Sequence, residues 1–170
     1  MNKQIFSLLF TAALMVSCAS SNASASGLRD VNASDPSSAG TNAASLSSIE
    51  GHEWKLIEVY VNEKDTLFRR DSLPAETGNF FTVNFDGEIV SGTGAPNRYS
   101  APYTLGDNQA VSIKLIRSTM MATFLEPEKL KEHEFFIYMQ NAYELKLANE
   151  RLELLSKTQD GGAVRLVFSR

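Results

Sequence analysis

Thiol and imidazole are scarce in this chain. Its 170 residues hold one cysteine, Cys18, and two histidines, His52 and His133. Past Cys18 no internal disulfide can form, and a structural zinc site of four nitrogen or sulfur ligands cannot be assembled. Positive charge is also short, with 16 Lys and Arg against 20 Asp and Glu and a net charge of −4. No basic stripe appears, which excludes nucleic acid as a partner and opposes attraction to anionic lipid by net charge. The motifs of catalysis are missing as well. No serine sits in G-x-S-x-G, and the glycines of "GTGAPN" run into strand-like "YTL" without a P-loop lysine. "EHE", Glu132 to Glu134, is not H-E-x-x-H, and neighbours on a helix point different ways. These acids read as a solvated helix face. The folded part therefore reads as non-enzymatic, with no cofactor and no metal.

Long apolar runs are limited to one, Ile5 to Val16, "IFSLLFTAALMV". It falls short of the roughly 20 residues that span a bilayer and has the length of a signal-peptide core. It ends at "LMVSC", Leu14 to Cys18, which resembles the lipobox of bacterial lipoproteins, with Met15 where leucine is usual. The resemblance implies cleavage before Cys18 and acylation of its thiol, and two or more acyl chains give a stable membrane anchor. An ordinary secretory cut within "ASSNASAS" is the alternative. Residues 1–17 are thus the signal peptide. Without Lys3, 15 basic residues face 20 acidic ones, a net of −5.

Residues 18–48 are rich in Ser, Ala and Asn. They cannot bury enough surface to offset ordering entropy, and a coil of that length has an end-to-end distance of about 30 Å. This is the tether. No aspartate follows Cys18, so the enterobacterial sorting rule places the anchor in the outer membrane. Whether the domain faces the periplasm or the outside stays open.

From Ile49 onward the pattern is that of short strands. "HEWKLIEVYV" alternates, then slips phase at Ile57–Glu58, predicting a strand with a bulge. Asn62 to Thr77 reads as a polar loop. "NFFTVNF" and "EIVSG" flank Asp86–Gly87, a hairpin signal in which both turn residues would take positive φ. "YTL" and "AVSIKLI" follow. "STMMATFL" predicts a short helix capped by Ser118. "EPEKLKEHEFFIYMQNA", Glu126 to Ala142, predicts the main helix, with Pro127 near its start and Phe135, Met139 and Ala142 on one face. "YELKLA", "RLELLS" and "AVRLVFS" close the chain, with turns at Asn149–Glu150 and "QDGG". The order predicts an α+β domain over residues 49–170: a small antiparallel β barrel or strongly curved sheet of about eight strands, with one main helix packed against it.

The oddest stretch is Gly92 to Leu105, "GTGAPNRYSAPYTL". Pro96 and Pro102 deny ladder hydrogen bonds, so it reads as a loop that resists edge pairing. Tyr99 and Tyr103, with Arg98, offer a candidate binding edge for a glycan, peptide or small ligand at one end of the barrel. The alternative is that both rings pack on the barrel end with their hydroxyls in water.

"WKLIEV", "FDGEIVSGTGAPNRYSAPYTL", "VSIKLIRSTMMAT", the helix and "YELKLANERLELLS" together resemble, in that order, the META domain, also called HslJ-like. The resemblance runs from about Ile49 to Phe168. It carries over Gly92, Asn97 and Tyr99 from the family's G-x-x-G-C-N-x-Y, and Ser118, Thr119, Met121 and Ala122 from its S-T-x-M-A-C. Pro96 and Thr123 stand where the family has cysteines, and Ala95 replaces a glycine. A thiol role is therefore out of reach here. The resemblance implies a barrel with a packed helix, an envelope lipoprotein, and a link to heat-shock or antibiotic-resistance phenotypes without an enzymatic activity. The partners it points to are membrane lipid through Cys18 and another envelope protein.

Overall fold

The computed structural model describes residues 46–170. The expected signal peptide (1–17), Cys18 and the expected tether up to residue 45 lie outside the described residues. A single turn, α1 (Leu46–Ile49), precedes β1 (Trp54–Val61), β2 (Asp65–Arg69), β3 (Thr82–Asp86), β4 (Ile89–Thr93) and β5 (Arg98–Leu105). Then come β6 (Val111–Ile113), β7 (Arg117–Ser118), α2 (Glu132–Gln140), β8 (Glu144–Ala148), β9 (Arg151–Lys157) and β10 (Ala163–Ser169).

Eight strands run in the order β6-β5-β4-β3-β1-β10-β9-β8, while β2 pairs with β1 and β7 with β5. The two ends of that order meet. Ala110 bridges Glu144 in antiparallel sense, and the Val111 amide donates to the Tyr143 carbonyl at 3.1 Å. The sheet is thus nearly closed into a barrel, with α2 packed against it, as the strand pattern predicts. Closure removes most of the exposed edge a flat sheet would carry.

The core follows from alternation. Trp54, Leu56, Val83, Phe85, Leu152, Leu154, Leu166 and Phe168 are all buried to 0 % exposure. The phase slip in β1 is a bulge: the register against β10 shifts between Leu56 and Glu58. It lets Val59 rejoin the buried face. The indole of Trp54 donates to the Ile49 carbonyl at 3.0 Å, so the buried N–H is satisfied.

Several local expectations are corrected. Residues 62–77 contain β2 and two 3₁₀ turns as well as loop. The register of β2 against β1 shifts, with Val59 opposite Phe68 but Tyr60 opposite Thr66. Leu67 is the extra residue, and this bulge erased the alternation that would mark a strand. At the β3–β4 hairpin, Asp86 pairs with Ile89, so the central residues are Gly87 and Glu88. Only Gly87 takes positive φ, at 57°, which needs glycine at the first central position alone. Asn149 and Glu150 both take positive φ, 51° and 61°, as a two-residue turn of type I′ requires.

The main helix begins at Glu132, not near Pro127. The amide of Lys131, its N-cap, donates to the Glu134 carboxylate at 2.9 Å, and the Glu132 amide donates to Glu126 at 2.9 Å. Those acids satisfy the first turn's unpaired donors and fix its start there. Phe135 and Met139 are fully buried and Ala142 nearly so, on the face predicted.

Arg70 locks the region where β1 bulges. Its guanidinium donates to four carbonyls: Leu56 at 2.5 Å, Gly78 at 3.1 Å, Phe80 at 2.5 Å and Phe81 at 3.3 Å. Burial holds its pKa below the usual value, against a smaller opposing effect of Glu53. Arg70→Met keeps the stem but strands those acceptors. Urea denaturation should show a loss of about 2–3 kcal/mol; a shift within ordinary surface-mutation scatter would mean water replaces the guanidinium without cost.

Candidate functional site

The segment Gly92 to Leu105 is a hairpin, not a loop. It spans the end of β4, a turn with a cis Ala95–Pro96 bond, and all of β5. Pro102 lies within β5, where it pairs with Ile89, the terminal pair of that ladder. Its carbonyl accepts the Lys114 amide at 2.8 Å, so the side that lacks an N–H faces Lys114, just past the end of β6, where strand pairing has stopped.

Burial in β5 alternates strictly: Tyr99, Ala101 and Tyr103 point in, while Arg98, Ser100 and Pro102 point out. The binding edge expected from Tyr99, Arg98 and Tyr103 is therefore not formed by its tyrosines, which are 4 % and 3 % exposed. The Tyr99 hydroxyl donates to the Thr82 carbonyl at 2.9 Å, and burial raises its pKa far above the normal value. Its ring lies 5.9 Å from Phe135 and 5.2 Å from Phe136. Tyr103 packs edge-on against Phe85 at 5.0 Å. Its hydroxyl is buried without a hydrogen-bond partner. The hydroxyls are thus not in water either.

Asn97 ties three segments together. Its carboxamide oxygen accepts from the Thr119 hydroxyl at 2.8 Å and the Met121 amide at 2.6 Å. Its side-chain nitrogen donates to Glu132 Oε2 at 2.6 Å and to the Met121 carbonyl at 3.2 Å. Glu132 Oε1 accepts the Ala95 and Asn97 amides, each at 2.6 Å. Thr119 and Arg98 bind through two further contacts, Thr119 N to Arg98 O at 3.0 Å and Arg98 N to Thr119 Oγ1 at 3.2 Å. Ser118 pairs with Tyr99 across β7 and β5 and is exposed. Glu132 is thus no solvated helix residue. The sequence signal for it was Gly94, where a Cβ would stand 2.5 Å from Glu132 Oε1 and 2.8 Å from Phe136.

The same knot removes the helix expected at "STMMATFL". Asn97 takes both the N–H and the C=O of Met121, which a helix would need for its own ladder, and Arg117–Ser118 is extended in β7. The outcome is an irregular loop. Of the large apolar side chains that are exposed, Met120, Met121, Phe124 and Leu125 fall within this one stretch and Leu115 lies just before β7, with only Ile89 and Tyr143 elsewhere among the described residues.

Beside that loop runs a groove of about 560 Å³, whose lining combines apolar Leu67, Leu73, Pro74, Phe124, Leu125 and Pro127 with Thr66 and the charged Arg69, Asp71, Glu126, Glu128 and Lys129. Neither the groove nor its β2 wall was read from the sequence. Among the described residues, no group of three or more His, Cys, Asp or Glu side chains converges as a metal site. None of their helices is long and apolar enough to cross a membrane.

Against known families, the sequence model of the META domain matches residues 47–169. The fold is similar to an NMR structure of a protein from Burkholderia xenovorans, with TM-score 0.53 and 18% identity over 82% of this chain and 95% of that one. It is also similar to the crystal structure of a DUF4847 family protein from Bacteroides vulgatus, with TM-score 0.51 and 12% identity over 72% of this chain and 94% of that one. Comparison with curated proteins yields no match.

Proposed function

The chain belongs to the META domain family, and on that premise we propose that it is a lipid-tethered envelope protein whose domain binds another envelope protein without catalysing a reaction. One observation carries the binding part: a groove of about 560 Å³ with a largely apolar wall, open beside side chains that the fold leaves outside its core. Contiguous exposed apolar surface of this kind marks interaction sites. The carboxylates at the start of α2 serve as acceptors for backbone and side-chain N–H groups. Glu132 receives three N–H groups, while Glu126 and Glu134 each receive a backbone amide. Lipidation at Cys18 would hold the domain at the outer membrane, and an envelope-stress role fits that placement.

The test places a photo-crosslinking residue at Thr66, in the groove wall, or at Arg151, exposed at the start of β9. Crosslinking in intact cells should give a reproducible protein adduct from position 66 and none from 151. Equal adducts, or none from 66, would reject the groove as the binding face. Labelled palmitate should enter the wild-type chain and not Cys18→Ala; an unlabelled wild type would remove the anchor.

A further inference from the structure

We propose that the groove takes a segment of the partner protein in extended form, paired as an added strand with the free edge of β2. This rests on the reading of the groove as the binding face, and it adds the conformation and chemistry of what enters.

Strand β2 is paired on one side only. Val59 of β1 stands between Phe68 of β2 and Leu166 of β10, so β1 covers one edge of β2 and nothing in the sheet covers the other. The direction of the main-chain groups follows from the ladder. The Asn62 amide donates to the Ala163 carbonyl at 2.9 Å, one step beyond the Val61–Val164 pair. Hydrogen bonding alternates along an antiparallel strand, so Tyr60 turns its main chain to β10 and Val61 turns its own to β2. Val61 stands opposite Asp65, which therefore directs its N–H and C=O to β1. Thr66, the next residue, turns both away. Among the described residues, no hydrogen bond from another segment reaches either group.

The groove lies along that edge. A groove over one face of a strand is lined by alternate residues, because side chains alternate. Here Thr66, Leu67, Phe68 and Arg69 line it in succession. An extended backbone offers donors and acceptors at the strand's own spacing, and the five residues of β2 span about 17 Å. The bulge at Leu67 and the charges of Asp65 and Arg69 at the strand ends oppose open-ended pairing, so the edge takes one short strand and not a sheet.

The rest of the lining selects the side chains of that segment. Leu73, Pro74, Phe124 and Leu125 share the groove, and apolar residues at every second position of an added strand fit them. The charges are mixed. Arg69 lies 3.8 Å from Glu58 and 3.4 Å from Asp71, and Glu126 lies 3.8 Å from Lys131. Glu128 and Lys129, which complete the charged lining, are neighbours of opposite sign. This balance gives a phosphate no cradle and favours no strongly charged peptide, so backbone pairing and apolar contact are the driving contributions.

The test uses the full chain in intact cells, with a photo-crosslinking residue at Phe124 and a second change at position 66. Thr66→Pro removes the outward N–H and sets a ring on the edge, where proline is tolerated. Thr66→Ala changes the side chain and keeps the amide. The protein adduct from 124 should fall about tenfold with proline and hold its level with alanine. Equal yields from the two would overturn the proposal, because a helix or a rigid surface in the groove does not use that amide. Hydrogen exchange on the purified full chain needs no variant: Thr66 should exchange as an unprotected amide while Phe68 is protected by β1. A protected Thr66, or a urea midpoint for the proline variant far below that of alanine, would show that the amide serves the fold and would overturn the free edge. An adduct of twice the chain's own mass would make the occupant a second copy and overturn the assignment to another protein. An adduct from 124 that ignores the proline rejects the added strand and leaves the groove as the binding face. No adduct from 124 with Thr66 intact also overturns the added strand; together with none from 66 it rejects the groove as well.

Discussion

Gly92→Ala is expected to cost about 3 kcal/mol of stability, a large penalty for one methyl group. The position has no left-handed φ to explain its glycine. The reason is approach: a Cβ at 92 would stand 2.1 Å from the Thr82 carbonyl oxygen, 2.8 Å from its carbon and 3.0 Å from the Tyr99 ring. Two of those atoms belong to the β3 backbone, which cannot swing aside as a side-chain tip would. The same carbonyl accepts the Tyr99 hydroxyl, so moving β3 also breaks a buried hydrogen bond. Equilibrium urea denaturation should show the midpoint falling sharply with an unchanged slope. A loss under about 1 kcal/mol would mean β3 and β4 are more compliant than their spacing implies.

Glu132→Ala should be comparably damaging, by about 3 kcal/mol, because it strands three donors at once: the Ala95 amide, the Asn97 amide and the Asn97 side-chain nitrogen. The conservative change sharpens the point. Glu132→Gln keeps an oxygen for the two amides but turns an NH₂ toward Asn97 Nδ2. Asn97 cannot answer by flipping, since its oxygen already serves Thr119 and Met121. Gln should therefore fall between Glu and Ala. Asn97→Ala combined with Glu132→Ala should be less than additive by about 1–3 kcal/mol, as expected within one network. Additive losses would show that the two residues act independently.

The family fingerprint thus marks a structural knot more than a surface. Gly92 permits close strand packing, Asn97 ties the turn to the loop and the helix, and Tyr99 fills the interior. Arg98 and Ser118 are left outside. The departure from the family at Pro96 falls within the turn that Glu132 clamps through the amides of Ala95 and Asn97.

Much of the barrel was legible because burial alternates with sequence. The period of two in β1, β6 and β9 survives folding, as does the bulge in β1, while Thr82 in β3 and Val167 in β10 are buried out of phase. Alternation was equally present in β5, but its two prolines argued for a loop; the structure accommodates Pro102 where its amide side faces Lys114, just past β6, and Pro96 in the turn. What could not be read depends on partners distant in sequence. The loop at 118–125 is denied a helix by Asn97, more than 20 residues earlier. Strand β2 loses its period to a bulge at Leu67, and the groove it walls is completed by residues 124–129. Local propensity has no access to either effect.

The central claim is that the fingerprint residues hold the domain while the groove meets the partner. Crosslinking yield from Thr66 in cells, compared between two surface variants, tests it most directly. One carries Arg98→Ala with Ser118→Ala, the exposed members of the fingerprint; the other carries Leu125→Glu, in the groove wall. All three positions are at least partly exposed, so both variants should fold. The expected result is wild-type capture for the first and loss of capture for the second. Loss with Arg98→Ala and Ser118→Ala, and retention with Leu125→Glu, would contradict the account and return the function to the fingerprint hairpin.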